Sequence, residues 1–251
     1  MNTLTESTKN KQNWLQGLPN LPFTVNQTEL VVCIVSYDKS LFPKSLYPRK
    51  ELPYSIQKAH FSRQAEFVAG RSAAHNALAL LGESHQIGIN LDRSPNFPPH
   101  LSGSISHCEN YAVAVVERKE KLADHHIGVD IQRLLSGQEV KDTHAFIARE
   151  EEIDLLAQTG LSRNEAVTLL FSAKESLYKA IYPQVQEILE FDVVRLVKSG
   201  KNSLRFESNQ YLISKGISRT LESHYAWFQQ CVICLSKWQH NDGSANHCRI
   251  R

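Results

Sequence analysis

The sequence has no long hydrophobic run, no strong charge of either sign and no tract of low complexity. The best early apolar stretch, residues 30–35, has the length of a strand and is too short to cross a bilayer. The N-terminus is polar and lacks the basic end and apolar core of a signal peptide. We therefore expect a cytoplasmic protein without an integral membrane segment. A formal net charge of +2 over 251 residues gives no reason to expect nucleic acid as a partner.

The five cysteines are an odd number spread along the chain, which does not suggest a disulfide framework. Cys231, Cys234, His247 and Cys248 imitate the spacing of a zinc site, so a small zinc-dependent interaction domain is one alternative. However, Cys231 and Cys234 lie in an apolar run, 225–235, that reads as a strand. Thiols three residues apart on a strand point to opposite faces, which favours buried structural thiols.

What the chain does contain is typical of a soluble globular protein, with 41% hydrophobic and 22% charged residues. Periodicity predicts helices at 56–81, 138–159 and 163–182. Strand-like runs occur at 29–36, from Ile105, and at 111–116, 127–131, 191–197, 203–206, 210–213 and 225–235. We see no sequence repeat and expect a disordered tail from about residue 239. The overall prediction is a mixed α/β fold.

The predicted helix 163–182 has one apolar stripe and one polar, aromatic side. The stripe consists of Leu170, Ala173, Leu177, Ala180 and Ile181. Glu175 and Lys179 project from nearly the opposite side, one turn apart. They have two interpretations: a solvent-exposed ion pair of little energetic weight, or a carboxylate and an ammonium that face a ligand.

Asp130 interrupts the apolar strand 127–131, where a carboxylate is costly unless it is paired or bound to metal. A metal ligand and a buried ion-pair partner are equally good interpretations. If Asp130 and Glu175 met, they would supply two hard oxygen ligands of the kind that Mg²⁺ uses together with substrate phosphates. Lys179 could then contact a phosphate oxygen.

Arg63 and Arg71 are eight residues apart on one predicted helix, about 80° apart in projection, so both could reach one anionic group. Ordinary solvated arginines are the alternative. His107 lies between a turn and the strand 111–116. It could be structural, or it could face a ligand from the strand end.

Four motifs combine these signals in one order. They are Arg63 and Gly70-Arg71, then Gly103-Ser104-Ile105-Ser106-His107, then Gly128-Val129-Asp130-Ile131, then Phe171-Ser172-Ala173-Lys174-Glu175-Ser176 followed by Lys179. Together, over about residues 47–183, they resemble the Sfp-type phosphopantetheinyl transferases, most closely the branch of enterobactin synthase component D.

The resemblance implies an enzyme that transfers the phosphopantetheinyl arm of coenzyme A to a serine of an apo acyl, aryl or peptidyl carrier protein, with Mg²⁺. Adenosine 3′,5′-bisphosphate would be released. It implies a pseudo-dimer of two similar α/β halves, here 1–123 and 124–251, with coenzyme A in the cleft between them. Such a chain has no need of a partner subunit, so we expect a monomer. Siderophore or other nonribosomal peptide or polyketide synthesis is the implied pathway.

The resemblance also implies roles for individual residues. Arg63, Arg71 and His107 match positions at the 3′-phosphate and adenine end of coenzyme A, and Arg93 matches a position near the nucleotide. Asp130 and Glu175 match magnesium ligands, and Lys179 matches the lysine on the pyrophosphate. Among these, Glu175 is our candidate for the base that takes the proton of the carrier serine.

Gln132 departs from the family pattern, in which many relatives carry glutamate two residues after the strand aspartate. Positions 130 and 132 share a face of the strand, so Gln132 should point at the metal and bind it weakly or through water. A catalytically weakened relative that binds coenzyme A or a carrier protein is the alternative.

The stretch that follows this strand, 133–149, is our candidate docking surface for the carrier protein. A carrier presents an acidic helix beside its reactive serine, so the partner surface should combine apolar and basic groups. Those groups here are Arg133, Leu134, Leu135, Val140, Lys141, Phe146 and Arg149. A plain amphipathic helix is the alternative.

Overall fold

The computed structural model describes residues 14–25, 27–42, 52–119 and 125–239. Its strands are β1 (Leu15–Gly17), β2 (Leu21–Val25), β3 (Thr28–Tyr37), β4 (Gly88–Ile89), β5 (Pro95–Asn96), β6 (Leu101–Cys108), β7 (Tyr111–Arg118), β8 (His125–Arg133), β9 (Val194–Ser199), β10 (Ser203–Ser208), β11 (Thr220–Phe228) and β12 (Cys231–Gln239). Its helices are α1 (Tyr54–Gln57), α2 (Phe61–Leu80), α3 (Gly137–Ile147), α4 (Glu150–Ala157), α5 (Arg163–Val185) and α6 (Gln210–Ser214), with short 3-10 turns at Lys39–Leu41 and Phe191–Val193.

Two antiparallel sheets of five strands each carry one long helix. The first sheet has the order β1-β3-β7-β6, with β2 also paired to β3, and its core packs on α2. The second has the order β8-β12-β11-β10-β9, and its core packs on α5. This confirms the predicted mixed α/β fold with two α/β halves. The division expected between 123 and 124 falls in 120–124, outside the described residues, as does nearly all of the tail expected to be disordered from about 239.

The two sheets meet along β6 and β8. The backbone N–H of Val129 donates to Oγ of Ser104 across this seam at 3.0 Å. A third core lies on the other face of the two strands, where apolar side chains of both halves pack together. Among its members are Ile34, Cys108, Val113, Val115, Val129, Ile131 and Ile233. The seam therefore places β6 of one half directly beside β8 of the other. No helix in the described ranges is long and apolar enough to span a membrane.

The helix α5 begins at a capping box, in which Ser162 accepts from the backbone N–H of Glu165 and the Glu165 side chain accepts from that of Ser162. It ends at Gln186, whose φ of 53° is left-handed. The predicted apolar stripe is buried throughout, as expected. Gly128 lets α5 approach β8 closely: a Cβ added there would lie 1.9 Å from the carbonyl oxygen of Ser176 and 2.6 Å from N of Ala180.

Some predicted elements were wrong in extent, and in the two helical cases a local cap interrupts the periodicity. The single helix expected at 56–81 is α1 and α2, separated where His60 caps the N-terminus of α2 by accepting from N of Ser62. The helix expected at 138–159 is α3 and α4, separated where the Glu152 side chain accepts from N of Arg149. The strand expected to start at Ile105 begins four residues earlier, at Leu101.

Two expected strands were wrong in kind. The run 210–213 forms the short helix α6, because the Asn209 side chain accepts from N of Leu212 and caps it. The run 225–235 is not one strand but the hairpin of β11 and β12, which turns at Gln229 with a φ of 53°.

The zinc alternative loses its ligand pair. Cys231 and Cys234 lie on opposite faces of β12, since Cys231 packs in the core shared by the halves and Cys234 packs beneath α5. The Cys231 sulfur instead lies 3.8 Å from that of Cys108. Because the two thiols face different cores, they cannot hold one ion together. His247 and Cys248 lie outside the described residues.

Gly128→Ala should destabilise the protein by about 1–3 kcal/mol or more, because the added methyl would overlap the α5 backbone. The matched control is Gly137→Ala, where the nearest atom would be the Asn164 amide nitrogen at 4.0 Å. Urea unfolding should show a large loss for the first variant and little change for the second. Equal stabilities for the two variants would contradict the close contact of α5 with β8.

Candidate active site

Asp130 is the centre of the seam and is only 6% exposed. Its Oδ1 accepts from Oγ of Ser106 at 2.8 Å and from Nζ of Lys179 at 2.7 Å, while Oδ2 accepts from Oγ of Ser172 at 2.9 Å. Ser106 lies on β6 of the first half, whereas Ser172 and Lys179 lie on α5. One carboxylate thus joins both halves, and of its two interpretations the buried ion pair is the one visible here.

Lys179 does not form the exposed ion pair with Glu175 that one interpretation of α5 predicted. Its Nζ turns inward and also donates to Oγ of Ser106 at 3.0 Å and to the carbonyl oxygen of Val129 at 3.1 Å. Its side chain is 26% exposed, so a ligand in the seam could still reach the ammonium.

Glu175 lies beside this cluster and is half-buried. Burial raises the pKa of its carboxyl above the ordinary value; the charge of Lys179 opposes this and that of Asp130 adds to it. Within the described residues, no side chain or backbone N–H donates to its oxygens. A carboxylate that is half-buried, lacks a donor and lies near a second carboxylate fits a divalent cation, which would neutralise both charges.

Residues 128, 130 and 132 alternate onto one face of β8, and Gly128 on that face touches α5. Gln132 therefore shares the face of Asp130, as predicted. Its amide nitrogen donates to the backbone carbonyl of Arg133 at 3.2 Å. That bond uses only the nitrogen, so the amide oxygen keeps its capacity to coordinate a cation.

Arg63 and His107 meet across α2 and β6, with Nη1 of Arg63 2.8 Å from Nε2 of His107. A guanidinium can only donate, so Nε2 must accept and the imidazole is neutral in this contact. Burial lowers the pKa of His107, which suits this neutral form. Glu66, which the sequence did not single out, lies beside both, at 3.5 Å from Nη1 of Arg63 and 3.8 Å from Nε2 of His107, and also binds Lys39 at 2.8 Å.

Arg71 is not an ordinary solvated arginine. Its guanidinium stacks on Phe67 at 4.9 Å and donates to the carbonyl of Gly88 at 2.7 Å. Burial, with the nearby charge of Arg63, lowers the pKa of Arg71 to about 10. Its buried Nε has no hydrogen-bond partner among the described residues. An unsatisfied N–H beside a second guanidinium is suited to an anionic ligand.

Arg93 lies in the loop between β4 and β5 with a left-handed φ of 72° and an exposed side chain. This loop lies close to α5, because the Asp92 carboxylate raises the pKa of Tyr182 on that helix. Within the described ranges, the Arg93 guanidinium makes no hydrogen bond or ion pair with the other predicted site residues.

An apolar cavity lies along α5 at Glu175. It lies between α5 and the segment 188–194, and its lining includes Glu175, Tyr178, Ile181, Ile188, Leu189, Phe191 and Val194. Ile188 is 91% exposed at its rim. The cavity offers apolar contact immediately beside the least satisfied carboxylate of the site.

Comparison with known proteins supports the resemblance. Residues 51–117 match the family model of the 4′-phosphopantetheinyl transferase N-terminal domain, and residues 126–231 match that of the 4′-phosphopantetheinyl transferase superfamily. The chain belongs to the 4′-phosphopantetheinyl transferase superfamily. This confirms both the predicted family and the predicted enzyme class.

Individual relatives of this transferase agree. Enterobactin synthase component D of Salmonella typhi is 32% identical over 199 residues, which cover 78% of this chain and 80% of that protein. Enterobactin synthase component D of Escherichia coli K12 is 40% identical over 131 residues, 51% of this chain and 61% of that protein. The 4′-phosphopantetheinyl transferase PptT of Mycobacterium tuberculosis is 30% identical over 154 residues, 60% and 65% of the two chains.

A second buried ion pair fixes α5, and the sequence did not predict it. Nζ of Lys174 lies 2.9 Å from a Glu152 oxygen, and both side chains are 2% exposed. Lys174 also donates to the carbonyl of Ile147, while Glu152 accepts from N of Leu196 on β9. Lys174 therefore helps to position α5. Its place beside the apolar stripe, next to Ala173, was the only sequence signal.

Lys174→Met should destabilise the transferase by about 3–5 kcal/mol, because it leaves the Glu152 charge buried without its partner. Arg163→Met breaks an exposed pair with Glu150 and should cost no more than about 1 kcal/mol. Urea unfolding of both variants measures the difference. A Lys174 variant as stable as the Arg163 variant would show that the buried pair does not hold α5.

Proposed function

We propose that this transferase moves the phosphopantetheine arm of coenzyme A to a serine of an apo carrier protein and releases adenosine 3′,5′-bisphosphate. The observation that carries the proposal is the seam itself. There the cluster of Asp130, Glu175 and Lys179 in the second half lies beside β6 of the first half. β6 carries His107, and His107 contacts Arg63 of α2.

The first half would hold the nucleotide end of coenzyme A. Arg63 and His107 offer a guanidinium and an imidazole at one point, and Arg71 adds its unsatisfied buried N–H. The guanidinium groups of Arg63 and Arg71 suit the 3′-phosphate, since guanidinium groups bind phosphate through paired N–H donors. Arg93, on its exposed loop, would approach the nucleotide from the side of α5.

The second half would hold Mg²⁺ through Asp130 and Glu175, with Gln132 as a weak or water-mediated ligand. When bound, Mg²⁺ would neutralise charge on the pyrophosphate as the bisphosphate leaves. The three N–H groups of Lys179 already donate to Asp130, Ser106 and Val129, so Lys179 must give up one of these contacts to donate to the pyrophosphate. Lys179 would then stabilise the negative charge that grows on the leaving group.

Glu175 is our candidate for the general base. Within the described residues no hydrogen-bond donor competes for its oxygens, so one of them could take the proton of the carrier serine. The apolar cavity beside it would take the pantetheine arm, which would place the phosphate to be transferred next to Glu175.

The docking surface expected at 133–149 is narrower than the sequence indicated. Leu135 and Val140 are buried in the core and are not available to a partner. Lys141, Phe146 and Arg149 are exposed, with Phe146 78% exposed. These three would meet the acidic helix of the carrier protein, because they combine one aromatic contact with two positive charges.

We propose that the carrier protein belongs to siderophore or other nonribosomal peptide or polyketide synthesis, since two relatives are named as component D of enterobactin synthase. Both halves of the site belong to one chain, so we propose that the enzyme acts as a monomer. The weakened relative remains as a second candidate only because Gln132 adds no charge to the metal site.

Mass spectrometry of apo carrier proteins incubated with this enzyme, coenzyme A and Mg²⁺ tests the transfer. We expect one added phosphopantetheinyl group, none with EDTA, and a rate reduced at least about 100-fold for Glu175→Ala. The control is Glu151→Ala, an exposed glutamate of α4, which should keep full activity. No product on any carrier protein, with coenzyme A still bound, would favour the weakened relative.

Gln132→Glu should tighten the apparent Mg²⁺ affinity, because it places a third negative charge on the Asp130 face of β8. Gln210→Glu adds the same charge at the exposed start of α6 and should leave the affinity unchanged. Titration of transfer activity with Mg²⁺ measures both. An unchanged or weaker affinity for Gln132→Glu would mean that this side chain does not face the metal.

A further inference from the structure

A second group of metal-ligating side chains lies in the first half, apart from the proposed active site. Glu83 follows the end of α2, His85 lies two residues further along the same loop, and His100 immediately precedes β6. Nδ1 of His85 is 3.0 Å from one Glu83 oxygen, and Nε2 of His100 is 3.5 Å from the other. All three ligand atoms lie within 4.8 Å of one another.

These separations are close to those of a metal centre. Around a tetrahedral ion bound at about 2.0–2.1 Å, neighbouring ligand atoms lie about 3.3–3.4 Å apart. The two imidazole rings are 5.4 Å apart and nearly perpendicular, so neither blocks the other's nitrogen. Small side-chain rotations would therefore close the group around one ion.

The backbone already holds two of the ligands in place. N of Glu83 donates to the carbonyl of Leu78, which fixes the turn that ends α2. The carbonyl of His100 accepts from N of Lys119, which ties it to the end of β7. Preorganised backbone lowers the entropy cost of binding an ion.

Arg118 binds the carboxylate from one side. Its Nη1 lies 2.6 Å from Oε1 of Glu83, and its Nη2 donates to the carbonyl of Leu81. The second carboxylate oxygen stays beside His85 and is free of this contact. An outer partner of this kind typically orients a ligating carboxylate.

We propose that Glu83, His85 and His100 form a second metal site that takes a divalent ion of the zinc class, with water as the remaining ligand. Two imidazoles and one carboxylate suit Zn²⁺, Co²⁺, Ni²⁺ or Cu²⁺ and do not suit Mg²⁺, which prefers oxygen ligands alone. The ion would link the end of α2 to the start of β6 and so stabilise the helix that carries Arg63 and Arg71. None of its three ligands belongs to the Asp130 cluster.

Calorimetric titration of the untagged full chain with Zn²⁺ tests the site, in a large excess of Mg²⁺ to occupy the oxygen ligands of the active site. We expect one equivalent bound and a raised unfolding temperature. His85→Gln and His100→Gln should each weaken the affinity at least about tenfold. His75→Gln, an exposed histidine on α2, is the matched control and should bind as the wild type does.

A Co²⁺ spectrum separates this site from the cysteines. We expect weak visible bands of nitrogen and oxygen ligation without intense near-ultraviolet thiolate charge transfer. A thiolate band, equal Zn²⁺ binding by all variants, or no binding by the wild type would each overturn the proposal. His85 and His100 are exposed, so without added metal the His85→Gln and His100→Gln variants should unfold at the same temperature as the metal-free wild type. A lower unfolding temperature for these variants would also count against the assignment.

Discussion

The structure depends on the burial of one carboxylate at the junction of its two halves. An unpaired carboxylate there would be prohibitively costly, so Asp130 requires donors on both of its oxygens. Ser106 supplies one from the first half, and Ser172 and Lys179 supply the others from α5. The glycine two residues before Asp130 lets α5 come close enough for its side chains to reach.

This arrangement explains how one cluster can serve both stability and chemistry. Both oxygens of Asp130 accept hydrogen bonds, whereas Glu175, a turn before Lys179, has no donor within the described residues, and burial raises the pKa of its carboxyl. A cation and a phosphorylated ligand would improve the environment of Glu175 and draw Lys179 away from Asp130. The energy gained when the cation and the phosphorylated ligand bind is therefore released at Glu175 and Lys179, next to the groups whose charge changes during transfer. The unliganded protein is less stable because of this arrangement.

Local pattern predicted those parts of the fold and site that depend on near neighbours in sequence. The interruption of an apolar strand marked Asp130, and strand alternation placed Gln132 on the same face. Helical periodicity placed the buried stripe of α5. The motif order, read through its family resemblance, brought Arg63 and His107 together.

What pattern could not supply was contact between distant segments and the effect of caps. Ser106 meets Asp130 across 24 residues and Glu152 meets Lys174 across 22, and neither pair leaves a periodic signal. A single asparagine cap turned the apolar run at 210–213 into a helix. One interpretation placed Lys179 in an exposed ion pair with Glu175, but Asp130 holds it inward because the buried charge requires a partner.

A double-mutant cycle on Asp130→Asn and Lys179→Met, measured by urea unfolding in EDTA, tests the central claim most directly. If burial of the Asp130 carboxylate depends on Lys179 as its partner, the two losses should be strongly non-additive, with a coupling energy of about 1–3 kcal/mol. Additive losses, within about 0.5 kcal/mol, would contradict the claim and show that the two side chains act independently.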